Sequence, residues 1–222
     1  MKFIVSILFA FLFLSCANQR TYSPLLSFDI PYELKMSEES KNIELKFNDI
    51  KLYESLSKDT STEFKNTALY ARLKTEINLL KDALQKESKK ILEAKGYKIV
   101  DTNADYTAYQ SLNIYLDEIQ LAKDESLIDG NFIRSNLKVN LVYGLAIDFK
   151  RRKIPFRNIH TESKISGIEL RYKVPDSKDL QGSNLKQSIT ELDEDIKLVV
   201  KDIDEFLIDF YRKSIKSLID NL

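Results

Sequence analysis

Apolar residues recur at two different spacings along this chain, and the spacings separate strands from helices. Leu26, Phe28 and Ile30 alternate with polar neighbours, as do Ile43, Leu45 and Phe47. The phase then slips to Ile50 and Leu52 across Asn48 and Asp49. A period of two predicts half-buried strands, and the slip predicts a bulge or turn. The centre holds two longer alternations, Leu112, Ile114, Leu116 and then Leu137, Val139, Leu141, Tyr143, Leu145, Ile147, Phe149. Asp129-Gly130 between them is a hairpin signal. Residues 97–101 predict a short strand, and 158–174 a further strand or hairpin.

Elsewhere the step is three or four. Phe64, Ala68, Ala71, Thr75, Leu79, Leu80, Ala83, Leu84, Ile91 and Leu92 predict a helix over 63–95. Thr60, Ser61 or Thr62 can cap its start, Gly96 suits its left-handed end, and Asn78 marks a place where it can break. Ile189, Leu192, Ile196, Val199, Ile203, Phe206 and Phe210 predict a second helix over about 185–222. Three heptads of that seam fit a partner helix. Val200, Leu207, Ile208 and Tyr211 widen the stripe, which fits docking on the chain's own sheet. Both readings stay open here. Together the elements predict a single α+β domain over 41–222: an antiparallel sheet of about four to six strands flanked by two long helices.

Composition narrows the function more than the fold. Lys and Arg number 34, matching 34 Asp and Glu, which argues against a nucleic-acid partner. Gly (5) and Pro (4) are too scarce for long linkers or low-complexity tracts. With one cysteine, Cys16, no disulfide can form within the chain, so core packing must hold the fold.

That cysteine closes the chain's most apolar run. Residues 3–15 are apolar except for Ser6 and Ser15, with Lys2 ahead of them. Thirteen residues are short for a membrane span, which needs about 20. They fit a secretory signal, residues 1–15, rather than a spanning helix or a core strand. Leu12-Phe13-Leu14-Ser15-Cys16 resembles a bacterial lipobox, which implies acylation of Cys16 and cleavage before it. Membrane lipid is then a partner through acylated (palmitate-bearing) Cys16, since several chains on one residue anchor stably. An ordinary signal with an incidental cysteine is the alternative. Residues 16–40, with two of the prolines, read as anchor and tether.

The order of elements also resembles a family. "IELKFNDIKLY", a helix closing in "ESKKILEAKGYKIVD", a strand pair, and "GSNLKQSITELDEDI" before a long helix are similar to the neuraminyllactose-binding hemagglutinin lipoproteins of Helicobacter. The resemblance implies an outer-membrane, flagellar-sheath or surface lipoprotein, and an adhesin. The family's short basic motif begins Lys-Arg-Thr. Its nearest counterpart here, Lys150-Arg151-Arg152-Lys153, shares the first two residues, so no binding residue is carried over.

Candidate chemistry is sparse. Lys150, Arg151, Arg152, Lys153 and Arg157 put five cations beside Phe149 and Phe156. Arg forks suit carboxylate and phosphate, so a sialylated or other acidic glycan is the candidate ligand. A solvated turn between two strands, with Pro155 ending the pairing, is the plainer reading. His160 is the only histidine, so zinc sites and His-based triads lack partners and a surface role is expected. Asp101 to Asp105 lacks the Gly and Glu of a calcium loop and reads as a helix-to-sheet connection. Asp117 and Glu118 are adjacent in a strand and must face opposite ways. Tyr106, Tyr109, Tyr115 and Tyr143 read as core and rim rather than a stacking platform.

The sequence therefore predicts a non-enzymatic, lipid-anchored envelope protein without cofactor or metal, presenting a surface for acidic glycans. The alternative is a structural or assembly lipoprotein of the outer membrane or flagellar sheath. It would bind an envelope protein, or self-associate, through its C-terminal helix. An enzyme acting on peptidoglycan is the third and weakest reading.

Overall fold

The computed structural model describes residues 21–29, 43–101, 104–126, 130–150, 157–173, 191–192 and 194–222. Along the chain run β1 (Thr21–Tyr22), β2 (Ile43–Leu56), α1 (Thr62–Lys65), α2 (Ala68–Ala94), β3 (Tyr97–Val100), β4 (Tyr106–Ser126), β5 (Gly130–Phe149), β6 (Arg157–Lys173), β7 (Glu191–Leu192) and α3 (Glu194–Asn221). Five strands form one sheet in the order β3-β2-β4-β5-β6, while β1 and β7 pair separately. The class is α+β.

The sheet is mixed, which corrects the antiparallel expectation. β2 runs parallel to both β3 and β4, and only the β4–β5 and β5–β6 pairs are antiparallel. Helix α2 is the cause. Its 27 residues reach about 40 Å, nearly matching the roughly 46 Å rise of the 14-residue β2. The helix carries the chain back past the whole strand, so Tyr97 restarts opposite Ile43 and runs the same way. The segment around Asp101 and Asp105 then leads to the other side of β2, where Tyr106 lies opposite Leu45. That segment joins two strands, not a helix to the sheet as expected.

Local signals set the boundaries. Ser61 caps α1, its hydroxyl accepting the Phe64 N–H at 3.0 Å, and Thr67 caps α2 by accepting the Tyr70 N–H at 3.1 Å. The helical stretch breaks at Asn66 and Thr67. It does not break at Asn78, which lies inside the continuous α2. Gly96 takes φ 87° after the helix, the left-handed conformation expected of it. In β2 the register slips between Phe47 and Ile50, so the predicted irregularity is a bulge. Ser126 lies opposite Gly130 at the β4–β5 turn, though Asp129 is outside the described residues.

Strand alternation then sorts the sheet into two faces. β4 turns Ala108, Leu112, Ile114 and Leu116 inward, and β5 turns Leu137, Val139, Leu141, Tyr143, Leu145 and Ile147 inward. Onto this face α2 packs Leu73, Ile77, Leu80 and Leu84, and α3 packs Ile203, Leu207, Phe210 and Ile215. The C-terminal stripe thus docks within the chain. The other face is left open at Tyr53, Tyr109, Tyr115 and Ile119.

The expected first strand is different. Residues 23–29 are not strand, and only Thr21 and Tyr22 pair, with Leu192 and Glu191. Leu26 and Phe28 pack on the core, Phe28 with its ring centroid 5.3 Å from that of Tyr211. Their alternation records burial against helices rather than sheet pairing. Ile30 lies outside the described residues.

Candidate functional site

The open face carries a groove of about 290 Å³ spread over four strands. It is lined by Lys51 and Tyr53 on β2, Tyr109 and Ser111 on β4, Gly144 and Ala146 on β5, and Asn158 on β6. Register explains the shape. Lys51, Ser111, Gly144 and His160 form one cross-strand row, and Tyr109, Ala146 and Asn158 form the next. Small residues at Ser111, Gly144 and Ala146 make a low floor. Tyr109 and Tyr53, 48% and 52% exposed, stand above it as walls. Both tyrosines leave much of their ring in water, as Tyr115 does at 37%. Tyr109 and Tyr115 are therefore not core residues, whereas Tyr143 is fully buried.

The bulge in β2 forms the groove's end, since Asn48 and Asp49 line it. A bulge leaves ladder groups unpaired, and two glutamines take them up. Ile50 N–H donates to Gln85 Oε1 at 2.7 Å, while Gln85 Nε2 donates to Asp49 Oδ1 at 3.1 Å. Beneath the sheet, Gln110 Nε2 donates to the Asn48 carbonyl at 3.3 Å. Gln110 Oε1 in turn accepts from Ser88 and Tyr143, each at 2.8 Å. Burial pushes the Tyr143 phenol well above its usual range, so it stays a donor. Helix α2 and the buried layer thus fix the groove from behind.

The groove offers aromatic faces, amides, a hydroxyl, a carboxylate and one ammonium group around a shallow floor. That set suits a ring with polar edges and apolar faces. Among the described residues no group of three or more His, Cys, Asp or Glu is placed to hold a metal.

The residues singled out in the sequence are not brought together here. Cys16, Arg151, Arg152 and Lys153 lie outside the described residues. Lys150 is exposed after β5, its N–H donating to Asp105 O at 3.0 Å. Arg157 starts β6 opposite the inward-facing Ile147. Alternation puts it on the helix-covered face, away from the groove-lining Asn158. Its charge there partly offsets the burial that raises the Tyr97 phenol. His160 is an exposed strand residue beside the groove floor. As alternation requires, Asp117 and Glu118 face opposite ways, with Glu118 fully buried.

Two buried polar clusters gave no local sequence signal. Glu118 accepts the Ser61 N–H and the Tyr172 hydroxyl, both at 3.0 Å, tying the cap of α1 to β4 and β6. Arg72, 1% exposed, contacts Glu76 at 2.6 Å and Asp204 at 3.1 Å, and donates to the carbonyls of Ser23 at 2.7 Å and Pro24 at 2.9 Å. Burial, reinforced by the Asp204 charge, pushes Glu76 up to about 8. Burial also raises Asp204.

No family model matches the chain, and no curated protein matches it. Among solved structures, the chain is similar to a neuraminyllactose-binding hemagglutinin homolog from Helicobacter pylori. The identity is 13% over 89% of this chain and 91% of that one, with a TM-score of 0.43. It is similar to rare lipoprotein B from Shewanella oneidensis at 17% identity, over 76% and 93% of the two chains, with a TM-score of 0.27. A minor lipoprotein from Acinetobacter baumannii gives 10% identity over 80% and 93%, with a TM-score of 0.27. At these identities and scores the likenesses carry no function over to this chain.

Proposed function

We propose that this is a lipid-anchored protein of the bacterial outer membrane. In this reading it is non-enzymatic and presents the open face of its sheet to a glycan. The groove between Tyr53 and Tyr109 carries the binding part of the proposal, because two exposed aromatic walls flank a floor of small residues there. The apolar run ending at Cys16 supports the anchoring part. Among the described residues no helix is long and apolar enough to cross a membrane. Acidic glycans, sialylated ones included, are the ligand class, with Lys51 the ammonium group lining the groove. Lys150, exposed after β5, is a further cation at the same end of the β5–β6 pair.

A glycan array probed with the Cys16→Ser chain tests this. Tyr109→Ala should abolish binding, while Arg151→Ala with Arg152→Ala should weaken only the acidic glycans. Binding that survives Tyr109→Ala and is lost with the arginines would move the site to the basic stretch. Protease shaving of intact cells tests the exposure needed for adhesion.

A second reading, an assembly lipoprotein, is favoured by Ile119 and Leu121, 52% and 60% exposed where β4 runs on past its last pairing with β2 at Leu116. Pull-down that depends on these two residues would support it.

A further inference from the structure

Residues 21–29 cross the helix-covered side of the molecule held by backbone groups, and that bears on how the domain sits at a membrane. Arg72 of α2 donates to the carbonyls of Ser23 and Pro24. The Leu26 backbone bonds to Glu76, and Phe28 lies on Tyr211 of α3. Thr21 and Tyr22 pair with Leu192 and Glu191. Every one of these contacts joins the segment to α2, α3 or the residues just ahead of α3. The segment also lies between Cys16 and the first strand of the main sheet.

We propose that residues 21–29 are a strap whose docking sets how far the domain stands from its lipid anchor. The inference rests on the anchoring reading given above. With the strap docked, the five residue steps from Cys16 to Thr21 allow a span of at most about 17 Å. Undocked, the chain from Cys16 to Ile43 can span about 90 Å. The root-mean-square span of such a tether grows roughly twofold. Docked, the domain is pinned with Tyr22, 73% exposed, at the end nearest the lipid. Released, the groove can reach well beyond the headgroups.

Arg72 serves this role because its two strap bonds go to carbonyls. They hold the backbone whatever the side chains at Ser23 and Pro24, and Asp204 holds the guanidinium from the α3 side at 3.1 Å. Removing Arg72 leaves Glu76 and Asp204 together without their cation. Leu26→Ser with Phe28→Ser loosens the same strap from its own side and spares the helices.

Hydrogen exchange on the full Cys16→Ser chain reads docking without the lipid. The Leu26 amide should be protected in that chain and lose protection in the Leu26→Ser, Phe28→Ser variant, while β5 amides stay protected. Free exchange of residues 21–29 in the parent chain would overturn the strap. The lipidated chain, with Lys164→Cys carrying a donor dye, is then placed on phosphatidylcholine–phosphatidylglycerol vesicles containing an acceptor headgroup. Transfer should fall when the strap is loosened, because the root-mean-square span of the tether grows roughly twofold. Equal transfer from parent and variant would overturn the reach effect. A parent chain that stays off the vesicles sinks the anchor, and the reach effect with it, but leaves docking to stand on the exchange data.

Discussion

Ile50 N–H donates to Gln85 Oε1 at 2.7 Å, so a helix side chain supplies the hydrogen bond that a bulged strand has lost. The same glutamine donates to Asp49 at the groove's end. Gln85→Ala strands a partly buried backbone donor, which costs about 1–3 kcal/mol. Urea melts should show that loss, and the Ile50 amide should exchange faster. An unchanged Ile50 exchange rate would mean that the bulge does not depend on α2.

Gly144 is the groove's lowest floor position. A Cβ built there meets Ser111 Oγ at 3.4 Å and the Ile159 carbonyl at 4.0 Å, which is ordinary contact. Gly144→Ala should therefore keep or raise stability by about 0.4–1 kcal/mol through the unfolded chain. Gly144→Val fills the groove further. We expect both variants to fold, with glycan binding weakened by Ala and lost with Val. Full binding by the Val variant would place the ligand elsewhere.

The alternations in β4 and β5 were legible because one face is buried, and burial at period two is what a sequence records. The bulge at Asn48 and Asp49 was legible for the same reason, as a phase slip. Strand direction was not. It depends on where α2 returns the chain, and an apolar period is identical in parallel and antiparallel strands. The groove was invisible for a different reason. Lys51, Ser111, Gly144 and Asn158 meet only through the register of four strands, and no two of them form a local motif. Tyr109 looked like sheet packing because aromatic residues are common in strands, and which face it takes depends on the pairing.

Glu118 has no escape to solvent, and its two oxygens accept from Ser61 N–H and Tyr172 OH. Burial raises the Tyr172 phenol well beyond its usual range, which keeps its proton available. Glu118→Ala strands both donors and leaves a cavity, costing about 3–5 kcal/mol by the precedent of broken buried charge networks. Calorimetry should show a large fall in Tm, with Glu118→Gln falling less because one acceptor oxygen remains. Equal loss in the two variants would mean that the second acceptor oxygen and the charge, not the filled volume or a single hydrogen bond, carry this position.

The pH dependence of stability follows from Glu76. Its ordinary pKa of 4.5 is pushed up to about 8 in the folded chain, first by burial and then by Asp204, against the lowering effect of Arg72. Between those values the folded chain holds a proton that the unfolded chain has lost. Stability from this group is therefore fully present below about 4.5 and drains away as pH rises through about 8. The steepest slope one proton can give is about 1.4 kcal/mol per pH unit. Asp204 is raised by burial as well, so its slope has the same sign. Glu76→Gln keeps a neutral group beside Asp204 and cannot ionise. Urea midpoints from pH 5 to 9 should fall more steeply for the parent chain than for this variant, and the gap between the two should widen in the variant's favour as pH rises. Parallel curves would show that Glu76 is already ionised in the fold, leaving Arg72 to balance two carboxylates.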